Sequence, residues 1–339
     1  MEKVRGESGV IEVVVQSTDA GKKVHRFIRQ LLPGVPLSGV YKMLRTGRVK
    51  RNGKRVKTED VLQTGDTVQL YMAETDFKAS TRAPKKYGGV SREIDVIYED
   101  SDMLVVNKPA GLLVHGDAGE QKDTLVNRVQ AFLYDRDVRD RDAAEDRPTV
   151  FSVAPVHRLD RNTSGIVVFS KNAATASKLS DQIASHEVQK WYLAVVRGTI
   201  PPSGTIDAAL RREVGNRTVV AREFDERSHS ALSRYTRKAA VGRTSVALVE
   251  LVSGRTHQIR AHFQSIGHPL WGDVKYGGRT SALAPQDASE GEQEHQWLHA
   301  ALMVLPDGRR LFAPLPKQFR DTLQQLGYSA EQLRMVETL

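Results

Sequence analysis

The chain has no cysteine in 339 residues. That absence excludes disulfide staples, iron–sulfur clusters, thiolate zinc sites and thiol nucleophiles. It suits a reducing compartment, and a cytoplasmic location is expected. No apolar run approaches the ~18 residues that a membrane-spanning helix needs. The opening MEKVRGESGV lacks the apolar stretch of a secretory signal, so no membrane association is expected. There is no GxxxxGK(S/T) phosphate loop, no HExxH zinc motif and no internal repeat. His257, His262 and His268 lie close together in sequence but read as structural histidines rather than metal ligands, and no metal is expected.

What is present is unevenly spread. Hydrophobic residues make up 40% of the chain, enough for a sizeable core, and the net charge is +9. Residues 1–90 carry 18 Lys and Arg against 9 Asp and Glu, whereas the remainder carries 32 of each. The whole basic excess therefore sits in the first quarter of the chain. That asymmetry points to a polyanion-binding module joined to a neutral body.

The first quarter reads as a small α+β module over residues 10–75. Lys22 to Leu32 places Val24, Phe27, Ile28, Leu31 and Leu32 at helical spacing, and Pro33-Gly34 ends the helix. Ser38 is the expected N-cap of a second helix over Gly39 to Thr46, stopped by Gly47. Asn52-Gly53 between two short alternating segments predicts a tight hairpin, and Val68 to Met72 a closing strand. From Tyr41 to Lys57 there are eight basic residues and no acidic one: Lys42, Arg45, Arg48, Lys50, Arg51, Lys54, Arg55 and Lys57. Charge runs are ordinarily solvated faces. Eight like charges on one short helix and one hairpin repel one another, and a polyanionic ligand relieves that repulsion. Residues 76–90, polar and bearing Pro and Gly, read as a linker. A second domain is expected over 91–330, with surface insertions at 134–147 and 280–295.

The densest cluster of polar chemistry is HRLDRNTSG, from His157 to Gly165. Apolar runs flank it on both sides, so it is expected as a loop between buried strands, where catalytic groups are commonly held. Asp160 lies between Arg158 and Arg161, and basic neighbours favour an ionised carboxylate. On composition alone a structural Arg–Asp loop pair serves as well.

HRLDRNTSG strongly resembles the signature of the RluA-like family of pseudouridine synthases. Other blocks resemble that family in the same order: NKPAGLLVH (Asn107 to His115), KWYLAVVRG (Lys190 to Gly198), SGRTHQIRAH (Ser253 to His262), GHPLWGDVKYG (Gly267 to Gly277) and LHAALMVLPDG (Leu298 to Gly308). The last departs from the family's usual His-Pro at Leu305-Pro306. The basic first module resembles the S4 RNA-binding domain.

The resemblance implies an α+β fold. A small S4-like module would precede a catalytic domain with a mixed, mostly antiparallel sheet and a central cleft. It implies isomerisation of uridine to pseudouridine in RNA, with Asp160 as the catalytic carboxylate, Tyr192 stacked on the uracil and a candidate base, and Arg260 paired with Asp160. Ile259 would line the pocket, and Arg158 would face the RNA where the flipped base leaves space. Lys108 would support the loop. The implied partner is ribosomal RNA, 23S rRNA or a large-subunit precursor, with no cofactor and a monomeric enzyme. Two other readings stand beside it. One is a non-catalytic RNA chaperone or ribosome assembly factor on the same fold. The other is a glycosidase, which needs a second carboxylate near Asp160.

Overall fold

The computed structural model describes residues 9–81, 87, 89–117, 119–141, 153–213, 217–221, 224–277 and 295–339, the last five residues of 119–141 by backbone alone. The expected insertion at 280–295 lies outside these residues except for His295.

The first part of the chain forms β1 (Val10–Val14), α1 (Val24–Leu31), α2 (Leu37–Arg45), β2 (Val49–Arg51), β3 (Lys54–Arg55) and β4 (Thr67–Tyr71). The strands make a sheet of order β1-β4-β2-β3, all antiparallel. Its core is separate and draws on Val24, Phe27, Ile28, Leu31, Val40, Leu44, Val49, Val68 and Leu70. The expected hairpin is present: Asn52 (φ 50°) and Gly53 (φ 77°) both take the left-handed conformation that a two-residue turn of this kind requires.

Three local expectations are corrected. The second helix begins at Leu37 behind Pro36, and Ser38 does not cap it. The proline's fixed φ already sets the entry, and its carbonyl accepts the N–H groups of Gly39 and Val40. Residues 74–81, read as the end of the first module and the start of a linker, form helix α3 (Glu74–Thr81). No helix breaker falls in ETDFKAST, Glu74 and Lys78 pair one turn apart at 2.9 Å, and Phe77 packs on the first core. Finally, the insertion expected from Tyr134 opens inside a helix, α4 (Leu125–Arg141). Arg92–Asp135 and Arg136–Glu99 ion pairs tie that stretch down; residues 142–152 lie outside the described set.

The larger part continues with β5 (Val96–Glu99), β6 (Met103–Lys108), β7 (Ala154–Pro155), β8 (Ser164–Ser170), α5 (Ala173–Ala184), β9 (Gln189–Arg197), β10 (Ser203–Asp207), β11 (Leu210–Arg212), β12 (Thr218–Val220), β13 (Ser228–His229), β14 (Leu232–Val241), β15 (Thr244–Leu251), α6 (Gln258–Ser265), β16 (Leu298–Val304), β17 (Arg310–Phe312), α7 (Lys317–Gln325) and α8 (Ala330–Glu337). Among the described residues ten strands form one sheet, β10-β14-β15-β9-β16-β8-β6-β5, with β17 beside β16 and β7 beside β8. Every pairing is antiparallel except β8 with β16, which are parallel over only two residue pairs. The sheet is thus mixed and mostly antiparallel, as expected.

Helices cover both faces. Leu125, Val129 and Leu133 of α4 and Ile259 and Phe263 of α6 pack with Tyr192, Ala194 and Val196 on one side. Leu193 and Val195 meet Phe319, Leu323, Leu333 and Val336 of α7 and α8 on the other. The alternation along β9 is the period-two signature of a strand buried on both faces.

Candidate active site

The polar loop between β7 and β8 is pinned from beneath. Gly165, at the start of β8, has φ 111°, and a Cβ there would lie 2.2 Å from the Ala300 carbonyl oxygen. Only glycine permits β8 to approach β16 so closely. Lys108, at the end of β6, is fully buried and donates to the carbonyls of Pro109 (2.8 Å), Leu112 (2.7 Å) and Arg161 (2.8 Å). Burial pulls its pKa down to about 7, opposed by the Asp160 charge. Three carbonyls matched to three N–H donors is the arrangement an ammonium requires. Lys108 therefore supports the loop, as expected, and is spent on backbone rather than on a ligand.

Asp160 stands on this loop with its side chain about a quarter exposed, and the Thr163 N–H closes a turn onto its carbonyl at 3.1 Å. Arg260 arrives from α6, exactly 100 residues later, and donates Nη1–H to Asp160 Oδ2 at 3.0 Å. Its other edge is clamped by Asp273, which accepts from Nε at 2.7 Å and Nη2 at 2.9 Å. The guanidinium also lies over the Tyr276 ring, 4.8 Å from its centroid. Its pKa is raised because the two carboxylates outweigh the cost of burial. Arg260 is thus a rigid bracket with one free edge, and Asp160 occupies that edge.

His257 adds a second neighbour. It sits just before α6 with φ 54°, a strained conformation for a non-glycine residue, and its Nε2 is 3.7 Å from Asp160 Oδ2. Its Nδ1 is 2.8 Å from the Tyr276 hydroxyl, which accepts the Thr218 N–H at 2.9 Å. Burial, then the Arg260 and Lys275 charges, lower the His257 pKa against the pull of Asp160. His262 bonds Ser233 and Ala208, and His268 bonds the Arg197 carbonyl. Among the described residues no cluster suits a metal ion.

Tyr192 is buried on β9, opposite Ala300 of β16 and Val249 of β15. Burial and then the Asp160 charge push its phenol well above the ordinary tyrosine range. Tyr192 thus offers a neutral ring beside Asp160 and is poorly suited to act as a base. Ile259 is buried in the same apolar cluster as Leu159 and Tyr192. Arg158 is exposed, and its charge adds to burial in lowering the His115 pKa. The structure therefore brings Asp160, Arg260, Tyr192 and Ile259 into one neighbourhood, with Arg158 on exposed loop surface.

Sequence reading assigned no role to Asp273 and Tyr276. Both lie in GHPLWGDVKYG, a block noted only for its resemblance. The acidic residue and aromatic within it were the available signal. Asp273 does not supply the second acid that the glycosidase reading needs. It is the carboxylate bracketed with Asp160 by Arg260, its side chain is 1% exposed, and both its oxygens are engaged. It cannot serve as the second, substrate-facing acid that such chemistry needs.

On the first module, Lys42 and Arg45 lie exposed on α2 and Lys54 and Arg55 on β3, Lys50 and Arg51 are half-buried on β2, and Arg48 is exposed in the turn between α2 and β2. Arg55 donates to the Arg45 carbonyl, which joins helix and hairpin into one basic surface. Arg51 is partly committed to the Val61 carbonyl at 2.8 Å.

A carboxylate held by a bracketed arginine beside a buried tyrosine, on a mixed sheet split by one short parallel seam, defines a class that comparison identifies. The chain belongs to the RNA pseudouridylate synthase family, whose model matches residues 102–265; its members are isomerases acting on RNA. It is 32% identical over 326 residues to ribosomal large subunit pseudouridine synthase C of Salmonella typhi, covering 93% of this chain and 96% of that protein. It is 33% identical over 332 residues to ribosomal large subunit pseudouridine synthase D of Xanthomonas campestris, covering 94% and 93%. The fold is similar to that of Human RNA Pseudouridylate Synthase Domain Containing 4, with TM-score 0.53 and 23% identity over 68% of this chain and 92% of that one. Among the described residues no helix is long and apolar enough to cross a membrane.

Proposed function

We propose that this enzyme isomerises uridines of large-subunit ribosomal RNA, with Asp160 as the reacting carboxylate. The observation that supports the reading is the Asp273–Arg260–Asp160 bracket, which holds one carboxylate beside the buried Tyr192 and Ile259. The ribosomal target rests on the names of the two relatives, each of which aligns over nearly its whole length.

The chemistry breaks the bond from ribose C1′ to uracil N1, and the electron pair leaves with the base. The base turns, C5 bonds to C1′, the C5 hydrogen departs as a proton and N1 gains one. Atoms and electrons balance within the substrate, so the reaction calls for no redox partner or group donor. Asp160 serves it as a nucleophile at C1′ or as a base at C2′, and both roles need an ionised, aimed carboxylate. Arg260 supplies the aim. Tyr192 supplies a face for the uracil, where stacking contributes about 1–3 kcal/mol. The target must leave its own stack to reach the site, and the exposure of Arg158 supports a role for it in meeting the RNA.

The division of labour is part of the proposal. Residues 10–81, which share one core, bind RNA phosphates through the Lys42–Arg55 surface. Residues 91–330 perform catalysis as a monomer, and the intervening stretch links the two. Phosphate contacts confer salt-dependent affinity, while the cleft selects the uridine.

The test is release of tritium from uridine C5 in large-subunit rRNA transcripts. Wild type releases tritium, and Asp160→Asn releases none while binding the RNA normally. Turnover by Asp160→Asn removes the assignment of Asp160. RNA binding without release, on transcripts and on ribosomal precursors alike, favours the assembly-factor reading.

A further inference from the structure

We propose that Lys190 is a specificity-determining residue whose ammonium closes the polar end of the uracil slot and pairs with O4 of the target base. The inference rests on the pseudouridine synthase reading and assigns the far edge of the base, for which no residue described above accounts.

Lys190 lies on β9 two residues before Tyr192, so the two side chains leave the strand on the same face. Their Cα atoms are about 6.5–7 Å apart along the strand. The residue is 6% exposed. Among the described residues Lys190 makes no hydrogen bond and no ion pair. Its Nζ sits 3.4 Å from where a Cβ would stand on Gly254. Gly254 opens the loop that delivers His257 and Arg260. The ammonium therefore lies beneath the exposed turn leading into α6, on the strand face that carries Tyr192, and its charge reaches His157.

No described residue accepts from its ammonium, and burial of the side chain lowers its pKa with no opposing charge. The fold shows how it treats a structural lysine. Lys108 has all three of its donors satisfied by carbonyls. Lys190 has none, as expected of a group whose acceptor arrives with the substrate.

The chemistry of that acceptor follows from the site. A uracil stacked on Tyr192 with N1 toward Asp160 directs its C4 edge away from Asp160, along β9. An ammonium only donates hydrogen bonds. Uracil presents the carbonyl O4 there, whereas cytosine presents an amino group that also only donates. Lys190 thus accepts uracil and rejects cytosine. When the C1′–N1 bond breaks, negative charge spreads onto the uracil oxygens, and a fixed cation at O4 stabilises it as it develops. A phosphate oxygen is the other acceptor of the same chemistry, and the test separates the two.

The experiment uses the full chain and C5-tritiated rRNA transcripts carrying either uridine or 4-thiouridine, in which O4 is replaced by a weaker acceptor. Wild type slows on 4-thiouridine. Lys190→Met turns over uridine about 10²-fold more slowly, shows no further loss on 4-thiouridine, binds RNA with unchanged salt dependence, and unfolds at no lower temperature. Lys190→Arg recovers part of the rate. Wild-type turnover by Lys190→Met overturns the proposal. So does weaker RNA binding with a salt slope reduced by about one, which assigns Lys190 to a phosphate. A rate loss accompanied by a lower unfolding temperature makes the residue structural. Absence of turnover by the wild type on every RNA overturns the synthase reading and this proposal together.

Discussion

The functional weight of Arg260 depends on Asp273. A guanidinium alone on a helix samples several rotamers, each aiming its donors differently. Two parallel bonds to a carboxylate that is itself buried remove that freedom and leave Nη1 for Asp160. Removing one member of a buried pair costs about 3–5 kcal/mol, because the survivor stays buried. Asp273→Asn keeps the shape and one acceptor but loses the charge. It should destabilise the protein by about 2–3 kcal/mol in denaturant titration and lower kcat by about 10–10²-fold with little change in KM, since misaimed groups cost rate. A KM effect alone would place Asp273 in binding instead.

At this scale the sequence was partly legible. Asp160, Tyr192 and Arg260 stood inside dense motifs whose residue types suggested or resembled a known chemistry. Asp273, His257 and Tyr276 stood in quoted blocks too, but were given no part in the chemistry. Their roles arise from where α6 and the turn after it are folded, and nothing in a pattern of 13 or 19 residues shows that one side chain will clamp another.

At the level of elements, the reading held where local chemistry decides and slipped where packing decides. Asn52-Gly53 makes its hairpin because few other pairs tolerate two left-handed residues in succession. The start of α2 and the existence of α3 were missed. A proline entry competes well with a serine cap, and a short polar helix is stabilised by one ion pair and by Phe77 resting on the neighbouring core. The basic surface also divides into cations bonded within the module and cations left exposed. Arg51 and Arg55 bond backbone carbonyls within the module, whereas Lys54 is exposed and Lys42 lies exposed on the adjoining α2. Lys42→Gln and Lys54→Gln should each reduce the slope of log K against log salt by about one without altering the melting temperature, as filter binding at several salt concentrations would show. Unchanged slopes would place the RNA on another surface.

For the whole molecule, buried histidines set the acid limit of stability. His299 is fully buried and bonded at both nitrogens, to Ser164 at 2.9 Å and to the Ala313 carbonyl at 3.1 Å, and burial lowers its pKa to about 4. His157 accepts the Val168 N–H, and burial and the Lys190 charge lower it to about 4 as well. Both are neutral in the folded protein, whereas an unfolded histidine takes its proton near pH 6.5. The unfolded state therefore binds more protons between about pH 6.5 and 4. Stability is intact above that window and falls through it by at most about 1.4 kcal/mol per pH unit for each histidine. His157 is partly exposed and contributes less than this limit. Thermal midpoints measured from pH 7.5 to 4 should fall with an onset near 6.5, and His299→Gln should make the descent shallower. A midpoint independent of pH down to 4.5 would contradict this account.

The parallel seam between β8 and β16 has a consequence in time. Its two residue pairs, with the Ser164–His299 bond beside them, join positions about 135 residues apart. Contacts that close such long loops form late, after local hairpins and helices. During synthesis the catalytic loop emerges long before the strand against which its base is set, so a growing chain carries Asp160 but lacks the floor that fixes it. Chains ending before Leu298 should fold their first module, bind RNA and release no tritium, with activity returning only once residues 298–304 are present. A protein that modifies RNA on this plan stays inert until its own translation is almost complete.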